Sequence, residues 1–286
     1  MTAKRILASI LLGAVVAAAP GPSQAQEPDG AAPVRVVSMN LCTDQLAMLV
    51  AAPGQLLSVS YLAAQPRSSA MAEEAQNYVV NHGLAEEIYL LEPDLVIAGT
   101  FSTRATVAML KRLDIPVAVL SPAYSLDEVR QRIIEMGEVL HRQEAAEGLA
   151  AEFDARLAAL RDKVIRQPRA ALFFANGYTS GDRTLAGQIL SAAGFDNIAD
   201  EVGLPSGGRM PLEVLAMADP EVLIRGSRYE GNSRSEEILD HPVVAKLREA
   251  LPGAAVTDRD WVCGTPFVLR AIEELAETRR KLETSP

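Results

Sequence analysis

The chain predicts an α/β protein built as two Rossmann-like α/β lobes joined by a single long helix. Three observations point there. Short β-branched runs alternate with helical patterns in both halves of the chain, the rhythm of mostly parallel sheets. No proline falls between Pro122 and Pro168, and that stretch holds only helical periodicity. A string, LAEEIYLLEPDLVIAG (Leu84–Gly99), is echoed by PLEVLAMADPEVLIRG (Pro211–Gly226). Each copy is a two-turn helix, a turn of acid and proline, and a buried strand ending in glycine, so the architecture reads as duplicated.

The elements follow in order. Met1–Arg5 is short and basic, Ile6–Ala19 is an apolar run, and Pro20, Gly21 and Pro22 break it ahead of the small residues Ser23-Gln24-Ala25. That is a secretory signal peptide over residues 1–25. Its apolar run is shorter than the ~20 residues that span a bilayer, and no cysteine follows to carry a lipid. The expectation is a periplasmic chain released by cleavage and not lipid-anchored. Residues 26–33 read as a flexible leader. An N-terminal α/β lobe over 34–122 carries strands at Val34–Met39, Leu57–Ser60, Asp94–Ala98 and Pro116–Leu120. Between them stand helices at Thr43–Ala51, Leu84–Leu91 and Thr103–Leu113. The helical segment over 123–167 includes the interlobe linker. Ser125 and Glu128 form a capping box opening Ser125–Leu140. In Gln143–Arg166, Leu149, Phe153, Leu157, Leu160 and Val164 make one apolar stripe. The C-terminal α/β lobe over 168–286 has strands at Arg169–Ala175, Glu221–Arg225 and Ala254–Thr257. Its helices are Leu185–Ala193, Pro211–Ala218, Ser235–Ala250 and Pro266–Leu282.

Composition removes whole classes of function. The chain has 286 residues, is 49% hydrophobic and carries a formal charge of −10. Loss of Lys4 and Arg5 with the signal leaves 25 basic against 37 acidic residues, a net of −12. A nucleic-acid binder needs a basic face, so nucleic acid is excluded as a partner. Two cysteines cannot make a disulfide-dense scaffold, and there is no Cys-x-x-Cys to begin a zinc site. There is no Gly-x-Ser-x-Gly elbow, phosphate loop or His-Glu-x-x-His. The reading is a binder and not an enzyme, monomeric and without a cofactor. His82, His141 and His241 have no partners at ligand spacing, which gives them surface or capping roles.

VVSMNLCTDQLAML, the SVSY strand, LEPDLVIAG, IPVAVL, the long middle helix, TSGDRTLAGQILSAAGFDNIAD and DW..GTPFVLRAIEELA occur in one order from Val34 to about Arg280. In that order they resemble the periplasmic substrate-binding proteins of ABC importers for ferric siderophores, haem and cobalamin. The resemblance implies a ligand cleft between the two lobes, with only modest closure. It implies capture of a metal chelate, a ferric siderophore first, cobalamin next and haem third, and delivery to an inner-membrane ABC permease. It also implies one acid on each lobe that docks onto permease arginines. The matching residues are Glu86, with Glu87 as its alternative, and Glu213; each stands eight residues before the acid that opens its strand.

Ligands of open α/β sheets sit at the carboxyl ends of strands. Those ends supply Asn40, Cys42, Asp44, Tyr61, Arg104, Tyr178, Arg225, Tyr229 and Trp261 as ligand-contact candidates. Trp261 offers a large amphipathic ring, the tyrosines a hydroxyl or phenolate, and the arginines a partner for carboxylate or hydroxamate oxygens. By the family fold, Cys42 and Cys263 face one cleft from opposite lobes. Three readings of that pair stand open: a disulfide stapling the lobes, two thiolates ligating a soft metal or tetrapyrrole, or two inert buried thiols. The alternative function is a thiol-redox or metal-release protein using the pair. No metal ligated directly by other side chains is expected.

Overall fold

The computed structural model describes residues 31–161, 164, 166–228 and 233–284. The signal-peptide segment 1–25 and most of the leader lie outside the described residues. In the first half β1 (Val36–Ser38) is followed by α1 (Leu41–Val50), β2 (Leu56–Ser60), β3 (Val79–Asn81), α2 (Ala85–Leu90), β4 (Leu95–Gly99), α3 (Arg104–Arg112) and β5 (Val117–Leu120). The strands form one parallel sheet in the order β3-β2-β1-β4-β5. Two helices follow, α4 (Leu126–Val139) and α5 (Gln143–Leu160).

The second half has β6 (Arg169–Leu172), β7 (Tyr178–Thr179), α6 (Leu185–Ala192), β8 (Asp196–Asn197), α7 (Ile198–Glu201), β9 (Gly208–Arg209) and α8 (Leu212–Ala218). β10 (Val222–Gly226), α9 (Pro242–Ala250), β11 (Gly253–Val256), α10 (Asp258–Trp261) and α11 (Val268–Thr284) complete it. Its main sheet is parallel, in the order β11-β10-β6-β8, and β7 and β9 make a small antiparallel ribbon. This is the expected class: two α/β cores with parallel sheets, connected through helices.

Both faces of each sheet are covered, which is why the strands are apolar throughout. Side chains alternate across the pleat. Val36 and Ile97 therefore face inward, while Val37, Val96 and Ala98 face an outer core with Ile88 and Leu110. In the second sheet Leu172 and Ile224 face inward, and Phe173 and Leu223 face outward onto Leu215 and Val244. The inner faces of both sheets share one continuous core, which also contains Ile133, Met136 and Phe153 of the two middle helices.

α4 lies against α1 and β5 on one side and α6 on the other, while α5 lies along α4 and α11. Half of the expected capping box is present: Glu128 N–H donates to Ser125 Oγ at 3.2 Å, while the Glu128 carboxylate accepts from Tyr124 N–H at 2.6 Å, one residue before the N-cap. α5 ends at Leu160; Asp162, Lys163 and Ile165 of the longer expected helix lie outside the described residues. The expected helix Ser235–Ala250 is broken. Glu237–Asp240 is a 3₁₀ turn, His241 is extended at φ −58°, ψ 138°, and the α-helix starts at Pro242. The cause is steric, because a residue before proline is kept out of the helical region.

Candidate functional site

The first sheet's strand ends bring Asn40, Thr100, Phe101 and Ser121 close together. Asn40 caps α1, its side chain accepting from Cys42 N–H at 3.1 Å. One residue into the helix stands Cys42, bonded to Cys263 with a Cα–Cα separation of 5.1 Å. Because Cys263 follows α10 in the second half, the disulfide ties the two halves together. No free cysteine remains among the described residues. The pair is therefore the staple, which corrects the thiolate-ligand and inert-thiol readings. The redox alternative has nothing further to support it.

Beside the disulfide is a cavity of about 80 Å³ lined by Asn40, Cys42, Phe101, Ala123, Arg132 and Gly264, among others. Gly264 presses on the first half so closely that a Cβ there would lie 2.3 Å from that of Ala123. The cavity's volume is well short of the ~300 Å³ and more of small-molecule sites. Its solvent-facing edge, at Phe101, is the mouth. There Phe101 is 80% exposed, and Tyr124 and Val262, each next in sequence to a cavity or disulfide residue, are also exposed.

A second tie joins the two halves. Arg67, in the loop after β2, donates from its guanidinium to the backbone carbonyls of Ser227 and Arg228, and its Nε lies 3.8 Å from an Asp258 carboxylate oxygen. Arg67, Phe101, Arg132 and Val262 were not among the sequence candidates. Phe101 was within reach, since it directly follows the strand end LVIAGT; Arg67 sits in a loop with no periodicity to mark its direction.

The other candidates divide. Tyr61 is half exposed and stacks on His82 with ring centroids 5.6 Å apart. Tyr178 is also exposed, on the β7–β9 ribbon. Trp261 lies against Phe174 at 4.8 Å between centroids, half-buried, and its indole N–H has no hydrogen-bond partner. Arg104 is exposed at the start of α3. Arg225 alternates onto the Leu223 face, toward α9. Burial, and then the like charges of Arg248 and Arg228, pull its pKa below the usual arginine value. That face is the outer one, so the structure does not bring Arg225 to the mouth. Tyr229 lies outside the described residues.

Asp44 is not at the mouth. It is fully enclosed, its carboxylate accepting from Ser60 N–H at 3.1 Å and from the Ser60 hydroxyl. Desolvation by burial pushes its pKa up to about 7, only partly opposed by these hydrogen bonds. Its position as fourth residue of the helix after β1 turns it inward onto β2, where it pins α1 to that strand. Sequence position alone had placed it with the cleft residues.

The histidines fall as expected. His82 pairs with Glu87 at 3.1 Å, and His241 Nδ1 accepts from Val243 N–H to cap α9. Glu87 also accepts from His82 N–H. Glu86 is exposed on α2 and Glu213 on α8. Among the described residues no helix is long and apolar enough to cross a membrane.

Two parallel-sheet cores, bridged by helices and meeting around a stapled cleft, define a two-lobed α/β binding protein. The family model for periplasmic binding proteins matches residues 36–252, and the chain belongs to that family. A cobalamin-binding protein of Halobacterium salinarum is 33% identical over 146 residues, 49% of this chain and 40% of that relative, so the match spans well under half of its length. A heme-binding protein from Roseiflexus sp. RS-1 superposes with a TM-score of 0.70 at 23% identity, covering 85% of this chain and 97% of the other. The vitamin B12-binding protein of Vibrio cholerae gives 0.64 at 20%, covering 88% and 99%. At such identities these structures establish the fold alone. The family is periplasmic, which is the compartment expected of this chain.

Proposed function

We propose that the chain captures a cobalt corrinoid at the mouth of its interlobe cleft and delivers it to an ABC permease. The observation that carries the corrinoid is the 33% identity with a cobalamin-binding relative. The chemistry of the mouth agrees with it. Phe101, Tyr61, Tyr124, Tyr178 and Val262 are exposed there or on the neighbouring strand ends, and such rings and aliphatics suit a broad, largely neutral macrocycle. The small cavity beneath is too tight for the ring, so Arg67 either rims the bound ligand or parts from Ser227 and Arg228 to admit it. Glu86 and Glu213 dock the loaded protein on permease arginines, two separated ion pairs that steer and orient the encounter.

One observation favours a second reading, an anionic ferric siderophore. Arg104 is exposed three residues after Phe101 and makes no ion pair among the described residues. A free guanidinium there matches carboxylate or hydroxamate oxygens. Isothermal titration of the mature chain with cyanocobalamin, a ferric hydroxamate, a ferric catecholate and haem separates the readings. Submicromolar binding of cyanocobalamin with at least 100-fold weaker binding of the others is expected. Tight binding of a ferric chelate alone moves the function to the second reading, and silence with all four overturns both.

A further inference from the structure

Two of the most exposed apolar side chains are not among the residues that line the cavity. Leu90, ending α2, is 78% exposed, and Met217, in α8, is 85% exposed. Each follows an exposed acid by four residues, Glu86 and Glu213. Residues four apart share one face of a helix, so each helix shows a carboxylate beside an apolar knob.

The two helices sit in units that match in detail. Glu86 and Glu213, Leu90 and Met217, Glu92 and Asp219, and Asp94 and Glu221 are all 127 residues apart. Ile88 and Leu215, at the same spacing, are both fully buried. Glu92 and Asp219 both adopt the left-handed conformation at φ 47°, and a proline follows each. Arg35 donates to the carbonyls of Leu91 and Glu92 behind the first helix, and Arg169 donates to that of Asp219 behind the second. Asp94 accepts from Arg35 N–H, and Glu221 accepts from Arg169 N–H. A single exposed leucine needs no explanation. The same acid-and-knob pair, held twice on one rigid scaffold, does. Tyr89, also exposed, has only Ala216 as its counterpart and is not part of the repeated feature.

We propose that Leu90 and Met217 are two copies of one apolar anchor, each seating in a recess of one permease subunit beside the cation that meets the acid of its helix. The inference rests on the delivery reading above. Two equivalent elements on one chain fit two equivalent surfaces, which two copies of a subunit about a two-fold axis supply. The negative charge of each element requires the cation. The division of labour is physical: exposed charges act on association and are screened by salt, whereas a desolvated apolar anchor acts on dissociation.

The test uses the full mature chain and the ABC permease, in lipid nanodiscs, whose ATP hydrolysis it stimulates. Association and dissociation rates are measured at low and high salt for wild type, Leu90→Ser/Met217→Ser, each single change, and Glu86→Gln/Glu213→Gln. Thermal melts and chelate affinity serve as controls for folding. The apolar double variant should dissociate at least tenfold faster at both salt levels, each single change giving an intermediate effect. The acid variant should associate more slowly and lose its salt dependence. If the acids matter and the apolar changes are silent, the knob inference falls while delivery stands. If only one single change has an effect, the two-copy element falls. If all variants behave as wild type, the docking reading falls with it.

Discussion

Burial decides what Asp44 does. Its carboxyl is enclosed and held near pH 7, while in the unfolded chain it ionises near 3.8. The native state therefore keeps a proton that the unfolded state has released between those values. The stability this contributes is full below about pH 4 and is lost as pH rises through about 7; over that span it amounts to on the order of 4 kcal/mol at most. Asp44→Asn keeps an acceptor for Ser60 and removes the charge. The variant should melt higher than wild type at pH 8.5, and its advantage should shrink and vanish toward pH 4. A difference that does not vary with pH would contradict the assignment. The same residue shows where sequence reading stops. Asn40, Cys42 and Asp44 all follow β1 within a few positions, and the helical turn alone sends one to the cavity rim, one across to the other lobe and one into the core. Spacing named the strand end; it did not give the direction of each side chain. Trp261 is a milder case, carried on the short α10 that follows β11 and leaning on Phe174.

Elements with strong periodicity or caps were legible. α4 carries its Ser125 cap, α2 and α8 were visible as an echo, and of the long helices only Ser235–Ala250 is broken, ahead of Pro242. The strands that were missed, β3, β7, β8 and β9, have two or three residues each. That is too short for alternation to register, and their pairing is set by neighbours distant in sequence. The close contact of the two middle helices was also hidden, because it depends on a glycine whose partner lies in the next helix. A Cβ on Gly137 would stand 2.3 Å from that of Ala146. Gly137→Val should push α4 and α5 apart and cost about 1–3 kcal/mol, read as a lowered melting temperature. A variant as stable as wild type would show that the helices do not meet there.

Across the whole molecule the lobes meet through α4, through Arg67 and through the disulfide. The disulfide closes a loop with a sequence separation of 221, and the chain-entropy model gives such a loop up to about 5 kcal/mol. Cys42→Ser/Cys263→Ser should unfold at clearly lower denaturant, and reductant should bring wild type to the variant's midpoint. Equal midpoints for oxidised wild type and variant would mean the staple adds nothing. Two lobes and a bridge were readable from alternation and its interruption; the closeness of the lobes at Arg67 was not, since it joins residues some 160 apart in sequence.

The central claim is that a chelate sits at this cleft, and the single tryptophan reports on it directly. Trp261 lies two residues before the disulfide cysteine, so its fluorescence is a local probe. Titrating the mature chain with cyanocobalamin should quench that emission to saturation at one equivalent, with the same midpoint that calorimetry gives. Binding seen by calorimetry with no change in Trp261 emission would place the ligand elsewhere and contradict the account.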